Sequence, residues 1–189
     1  VRVEGIWDKA GAQVQESPYL AKNLQKIQDS AQNALQIVRQ NLSILRPRAS
    51  GMVSLSQCAR RATKELELEE LVSYELEVPP VHGDFRSLTL VFLNLFENAA
   101  RAMQGKGQIM VVGKASESSV VVKVADNGPG IPAERQGTVF ELSSDRSQPH
   151  NLGFGLWWVR TVMERMDGSI ELESDGKTGT TFVLEFPLP

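Results

Sequence analysis

Asp126-Asn127-Gly128-Pro129-Gly130-Ile131 is the stretch on which the fold turns. It follows residues 119–125, whose alternating apolar side chains predict a strand. Two glycines within three residues let the backbone turn sharply and come close to a bound group, although Asp-Asn-Gly also suits an ordinary turn. Working outward, residues 108–115 predict a second strand, joined to the first through Ser116 to Ser118 as a hairpin. Before it, Asp84 is placed to cap a helix running to about Met103. Leu88, Val91, Phe92, Leu95, Ala99 and Ala102 are expected to face inward from that helix, and Gly105 and Gly107 to end it. Further upstream lie a helix over about 55–71 and a strand over 72–78 closed by Pro79-Pro80. Downstream, residues 127–152 are rich in Gly, Pro, Ser and Gln, with a short helix near Ala133. A helix over about 155–166 and strands near 169–174 and 180–186, joined by Asp175-Gly176-Lys177, complete the chain. Strands and helices in this order imply an α+β fold, a two-layer α/β sandwich with a mixed sheet and helices on one face.

Three further segments carry chemistry. Asn94, Asn98 and Arg101 fall close to one face of their helix by four- and three-residue spacing. Amides beside an apolar stripe are costly unless partnered, and a magnesium ion with phosphate oxygens would partner them, Asn98 as a hard oxygen ligand and Arg101 as a cation. A helix cap or an inter-helix hydrogen bond would satisfy them too. Gly153-Phe154-Gly155-Leu156 stands where a long loop becomes a helix, and free N–H groups at a helix start bind anions. Loop-to-helix packing alone would also use such a pattern. Gly179-Thr180-Thr181-Phe182 opens the last strand, where alternation puts Thr180 on the face of Phe182 and beside any buried base that Asp126 holds. An Asp in an apolar pocket accepts a hydrogen bond from an exocyclic amine, which suits adenine.

Composition sets the outer bounds. The 189 residues are 41% hydrophobic and 23% charged, as in ordinary globular proteins, and the net charge of −3 attracts neither nucleic acid nor anionic membrane. A single cysteine, Cys58, forms no internal disulfide, and with two distant histidines it makes no zinc cluster. No apolar run approaches the roughly 20 residues that span a bilayer. The expected location is cytoplasmic. Because the first residue is Val1, a piece of a longer protein is expected, with any membrane attachment through upstream segments.

In this order, Asn94-x3-Asn98-Ala99, Asp126-x-Gly128-x-Gly130, Gly153-x-Gly155-Leu156 and Gly179-Thr180-x-Phe182 resemble the N, G1, G2 and G3 boxes of the superfamily of gyrase, Hsp90, MutL and histidine kinases. Val139-Phe140-Glu141 resembles the F box of the kinases, and Phe182 to Pro187 is similar to their last strand. The resemblance covers residues 81–189. It implies the Bergerat ATP-binding fold, with Asn98 on Mg²⁺, Asp126 on the adenine amine, and ATP lined by Asn94, Arg101, Gly128, Gly130, Ile131, Gly153, Phe154, Gly155, Leu156 and Thr180. It also implies a lid over residues 137–152, in which Arg146 is either a phosphate contact or a solvated loop charge.

Within the superfamily, position 94 discriminates. Gyrase-like and MutL-like ATPases carry a water-activating Glu one turn before the metal-binding Asn, where this chain has Asn94, so hydrolysis is disfavoured. Ser17-Pro18 opens an amphipathic helix whose stripe runs from Leu20 through Leu24, Ile27, Ala31, Leu35, Val38 and Leu42 to Leu45. It resembles the second helix of the kinase dimerisation domain. Residues 1–50 are therefore read as a partial dimerisation segment and 51–189 as the ATP-binding domain, the break falling in the Pro-, Gly- and Ser-rich Pro47 to Ser54. The resemblance further implies a homodimeric parent and a response-regulator receiver domain as partner. The family's phosphoacceptor His is missing before Pro47, and neither His82 nor His150 stands on a suitable helix. Two functions follow: a sensor histidine kinase fragment that transfers the γ-phosphoryl to a His absent here, or a non-catalytic nucleotide-binding or dimerisation module.

Overall fold

The computed structural model describes residues 51–141 and 154–188, with Tyr19, Lys22 and Asn23 of the amino-terminal segment; for Phe154 only the backbone is described. Those three amino-terminal residues are helical, and Tyr19 is exposed. The rest of the 20–45 stripe, residues 142–152 of the expected lid, among them Arg146 and His150, and Gly153 lie outside the described residues.

Eleven elements follow in the described chain: β1 (Gly51–Val53), α1 (Leu55–Glu65), β2 (Val72–Glu75), β3 (Val81–Gly83), α2 (Phe85–Ala102), β4 (Ile109–Ala115), β5 (Ser119–Asp126), α3 (Ala133–Gln136), α4 (Phe154–Glu164), β6 (Ser169–Ser174) and β7 (Thr180–Pro187). Five strands form one sheet in the order β2-β4-β5-β7-β6, with β2 parallel to β4 and every other pair antiparallel. This is the expected mixed sheet. Its register builds rows across the strands, with Val111, Val124, Phe182 and Leu172 in one and Gly113, Val122, Leu184 and Ile170 in the next. Ile109, Val111, Val122, Val124, Phe182 and Leu184 are buried against the helix layer, whereas Met110, Lys123 and Glu185 on the other face are exposed. One face is therefore covered and one open, as alternation with period two requires.

The helix layer brings Leu55, Cys58, Ala59 and Ala62 from α1, Leu88, Val91, Phe92, Leu95, Phe96 and Ala99 from α2, and Trp158, Val159, Val162 and Met163 from α4, all buried. Burying each large side chain contributes roughly 1.5–3 kcal/mol. Phe92 and Phe96, one turn apart, have ring centroids 5.8 Å apart. Among the described residues no helix is long and apolar enough to cross a membrane.

The ends of α1 and α4 differ from expectation for a common reason. The helix expected to reach residue 71 stops at Glu65, because Glu67 adopts φ 54° and the Leu68 N–H closes on the Thr63 carbonyl at 3.0 Å. Such a left-handed terminus is the Schellman motif. The same bond pattern ends α2, where Gln104 at φ 55° precedes Gly105, and α4, where Asp167 at φ 54° precedes Gly168. In all three the first left-handed position is held by a polar residue and not by glycine; at α1 and α4 this hid the ending from a search for Gly, whereas Gly105 marked the end of α2 as expected. Residues 51–53, read as linker, form β1, paired antiparallel with β3. The strand expected over 72–78 ends at Glu75. Ala102, expected inward, is exposed; it lies at the end of α2 beside Gly128 and not under the sheet.

Candidate nucleotide-binding site

The sheet register puts Asp126 opposite Thr180, and Thr180 opposite Ser174, in the last row of the covered face. Sequence alternation thus carries Asp126 and Thr180 to the helix side at the margin of the core, Thr180 being buried and Asp126 half-buried. The Gly128 N–H donates to Asp126 Oδ1 at 2.8 Å. Burial pushes the Asp126 carboxyl above its ordinary value, and the backbone N–H groups of Gly128 and Thr180 pull the other way. A half-buried carboxylate with acceptor capacity to spare is completed by a donor such as a base amine.

The pH consequence has a definite sign. A carboxyl whose folded pKa lies above its unfolded value binds more protons folded than unfolded between the two values, so stability falls as pH rises through that window and stays reduced above it. Asp126→Asn lacks this charge. The nucleotide-free variant is expected to melt higher than the parent chain at neutral pH, with the difference vanishing below about pH 3.9, the ordinary Asp value. Thermal melts across this range measure it, and a variant that melts lower at neutral pH than at acid pH, relative to the parent, contradicts it.

Helix α2 ties the elements together. At its carboxyl end, a Cβ added to Gly128 would lie 3.4 Å from Met103 Cγ and 3.5 Å from Ala102 Cβ. Two turns earlier, a Cβ on Gly155 would lie 2.8 Å from Asn94 Oδ1. The Asp126 loop and the start of α4 therefore both rest on α2. Asn98 stands midway, about 6 Å along the axis from each contact at 1.5 Å per residue. It is half-buried, and its side chain makes no hydrogen bond among the described residues. An unengaged amide oxygen there is a hard ligand of the kind magnesium takes.

Asn94, only 4% exposed, is committed differently: its Nδ2 donates to the Leu90 carbonyl at 2.7 Å, and it lies beneath Gly155. Arg101 is exposed in the last turn of α2. The start of α4 at Phe154 leaves N–H groups of the first turn without intrahelical acceptors, with Gly155 and Leu156 half-buried. Phe140 meets Phe182 edge-on, centroids 6.3 Å apart, so the segment after α3 is pinned two residues from Thr180. Sequence reasoning missed Ser174 and Gln136. Ser174 Oγ accepts from the Ile131 N–H at 2.9 Å and donates to the Gly179 carbonyl at 2.7 Å, while Gln136 Nε2 donates to the Ile131 carbonyl at 2.7 Å. The hairpin register of β6 and β7 places Ser174 in the row of Thr180, which alternation without the pairing does not fix.

Residues 83–189 match the family described as histidine kinase-, DNA gyrase B- and HSP90-like ATPase. The chain belongs to this ATPase family. Its curated relatives include sporulation kinase A of Bacillus subtilis (strain 168), 33% identical over 118 residues that cover 61% of this chain and 19% of the relative. They also include sensor histidine kinase ZraS of Escherichia coli (strain K12), 32% identical over 111 residues, covering 59% of this chain and 24% of the relative. The chain thus spans about a fifth to a quarter of the length of these two. Among solved structures, the catalytic domain of histidine kinase ThkA superposes with a TM-score of 0.65 at 23% identity, over 74% of this chain and 98% of that one. That likeness establishes the fold as the α+β sandwich of this ATPase family, as the resemblance implied.

Proposed function

We propose that the chain is the catalytic, ATP-binding portion of a sensor histidine kinase of a two-component system, and that ATP with Mg²⁺ lies along α2. The observation that carries this is the position of Asn98, unengaged and midway between the glycine contacts that mark the two ends of the site. At one end Asp126 and Thr180 hold adenine, with Gly128, Gly130 and Ile131 shaping the loop around it. At the other end the N–H groups at the start of α4, around Gly153, Phe154, Gly155 and Leu156, receive the phosphates, with Arg101 adding charge. Asn98 supplies the protein's oxygen to Mg²⁺, which neutralises phosphate charge when bound.

The residues position the γ-phosphoryl and carry little covalent chemistry, as phosphoryl transfer requires. Asn94 supports transfer over hydrolysis: an amide bonded to the Leu90 carbonyl cannot take a proton from water as a carboxylate does. The acceptor is a His on a bundle helix of the parent protein, and residues 1–50 contribute the second helix of a homodimeric bundle. A receiver domain then takes the phosphoryl. His82 is exposed on β3, in register with Met52, and has no place on such a helix.

The chain is expected to bind ATP without labelling itself on His, and to phosphorylate a full-length parent made inactive at Asn98. Incubation with radiolabelled ATP and Mg²⁺, with and without that parent, separates the outcomes. Acid-labile label on the parent supports the kinase. Label on the chain itself would show His82 or His150 to be an acceptor, and no transfer to any parent protein would leave the non-catalytic nucleotide-binding module.

A further inference from the structure

We infer that Ser174 and Gln136 are positioning residues that set the adenine loop in place, a role that rests on the nucleotide site proposed above. The loop from Asp126 to Ile131 begins in the β5–β7 ladder, where Asp126 pairs with Thr180. Its other end is held by two side chains: the Ile131 N–H donates to Ser174 Oγ at 2.9 Å, and the Ile131 carbonyl accepts from Gln136 Nε2 at 2.7 Å. Both main-chain groups of Ile131 are thereby spent on side chains.

Each clamp residue also reaches a further segment. Ser174 Oγ donates to the Gly179 carbonyl at 2.7 Å and accepts from the Gly176 N–H at 3.3 Å, which fills the one donor and two acceptor sites of a hydroxyl. The second hydrogen of the Gln136 amide goes to the Ser174 carbonyl at 3.0 Å. The loop after β5, the short helix α3 and the β6–β7 turn are therefore joined through two polar side chains. No other side chain fits between loop and turn: Gly130, at φ 74°, would place a Cβ 2.8 Å from the Lys177 nitrogen and 2.9 Å from both Gly176 C and Ser174 Oγ. Gly128 and Gly130 leave the intervening backbone free to wander, so the clamp at Ile131 decides where the loop stands relative to the Asp126 carboxylate.

A residue that acts on the adenine end alters the choice of base more than the hold on phosphate. Inosine triphosphate, with an oxygen where ATP carries the exocyclic amine, reads this directly. In the full 189-residue chain, Ser174→Ala and Gln136→Leu are each expected to weaken ATP binding about 5- to 20-fold while inosine triphosphate affinity changes less than about 3-fold. Ser174→Thr, which keeps the hydroxyl, is expected to restore most of the preference. Because the two clamp residues share Ile131, the double variant should lose less than the product of the single losses. In nucleotide-free Ser174→Ala the Ile131 and Gly176 amides should exchange with deuterium faster than in the parent chain.

Equal losses for ATP and inosine triphosphate, or an undiminished ATP preference in both variants, would overturn the positioning role. So would unchanged exchange at Ile131. A parent chain that binds ATP no better than inosine triphosphate would instead overturn the adenine reading of Asp126, and the exchange measurement distinguishes that failure because it needs no nucleotide.

Discussion

Gly179→Ala is expected to destabilise the chain by about 2–4 kcal/mol and to weaken ATP binding by roughly 100-fold. Gly179 sits at φ 138°, where a side chain is strained, and an added Cβ would fall 2.1 Å from the Asp126 carbonyl oxygen and 3.2 Å from its carbon. Both are backbone atoms inside the β5–β7 ladder, so no flexible side chain can give way. Relief requires moving Asp126 away from Thr180, the pair proposed to hold the base. The same shift pulls the Gly179 carbonyl from Ser174 Oγ, 2.7 Å away, and loosens the clamp on Ile131. A domain of this size loses about 2–4 °C of melting temperature per kcal/mol, so a fall of roughly 5–15 °C should accompany the lost affinity. Gly51→Ala, with nothing within 4 Å, serves as the neutral control. Calorimetric melting and nucleotide titration of the two variants check the prediction, and a Gly179→Ala chain that behaves like Gly51→Ala contradicts it.

The legibility of this chain in its sequence follows the range of the forces involved. Alternation in 109–126 and 180–187 and the stripe of α2 come from burial of one face, a local periodicity, and they located β4, β5, β7 and α2 nearly to the residue. Asp84 capped α2 as expected, with its carboxylate accepting from the Ser87 N–H at 2.8 Å. The endings of α1 and α4 were less legible because Glu67 and Asp167 bear a left-handed conformation closed by local main-chain bonds, without a glycine at that position to mark it. β1 was hidden for a different reason: three residues carry no period, and their strand exists only through long-range pairing with β3.

At the candidate site, the grouping of Asp126, Gly128 and Thr180 was readable because each is tied to a strand end. Ser174 and Gln136 were not, since their importance lies in contacts 43 residues apart for Ser174 with Ile131 and 38 apart for Gln136 with Ser174. Asn94 shows the converse. The four-residue spacing placed it correctly on the face of Asn98, but spacing is blind to the Leu90 carbonyl that takes its amide and to Gly155 above it.

The second large effect concerns Asp126. Its carboxyl is half-buried, accepts from the Gly128 N–H, and is raised in pKa by that burial, so the nucleotide-free protein bears the cost of a poorly solvated acceptor. A base amine repays that cost on binding, whereas alanine leaves the amine itself without a partner. Removing one partner of a buried, charge-assisted hydrogen bond costs on the order of 1–3 kcal/mol, or about 5- to 150-fold in affinity. The loss should be larger for ATP than for inosine triphosphate, while Mg²⁺ dependence through Asn98 persists. The most direct measurement is a calorimetric titration of the chain and of Asp126→Ala with a non-hydrolysable ATP analogue in the presence of Mg²⁺. Binding to the parent chain that weakens at least about fivefold in the variant is the result expected from an adenine held by Asp126. Equal affinity in the two proteins, with both folded, would contradict it.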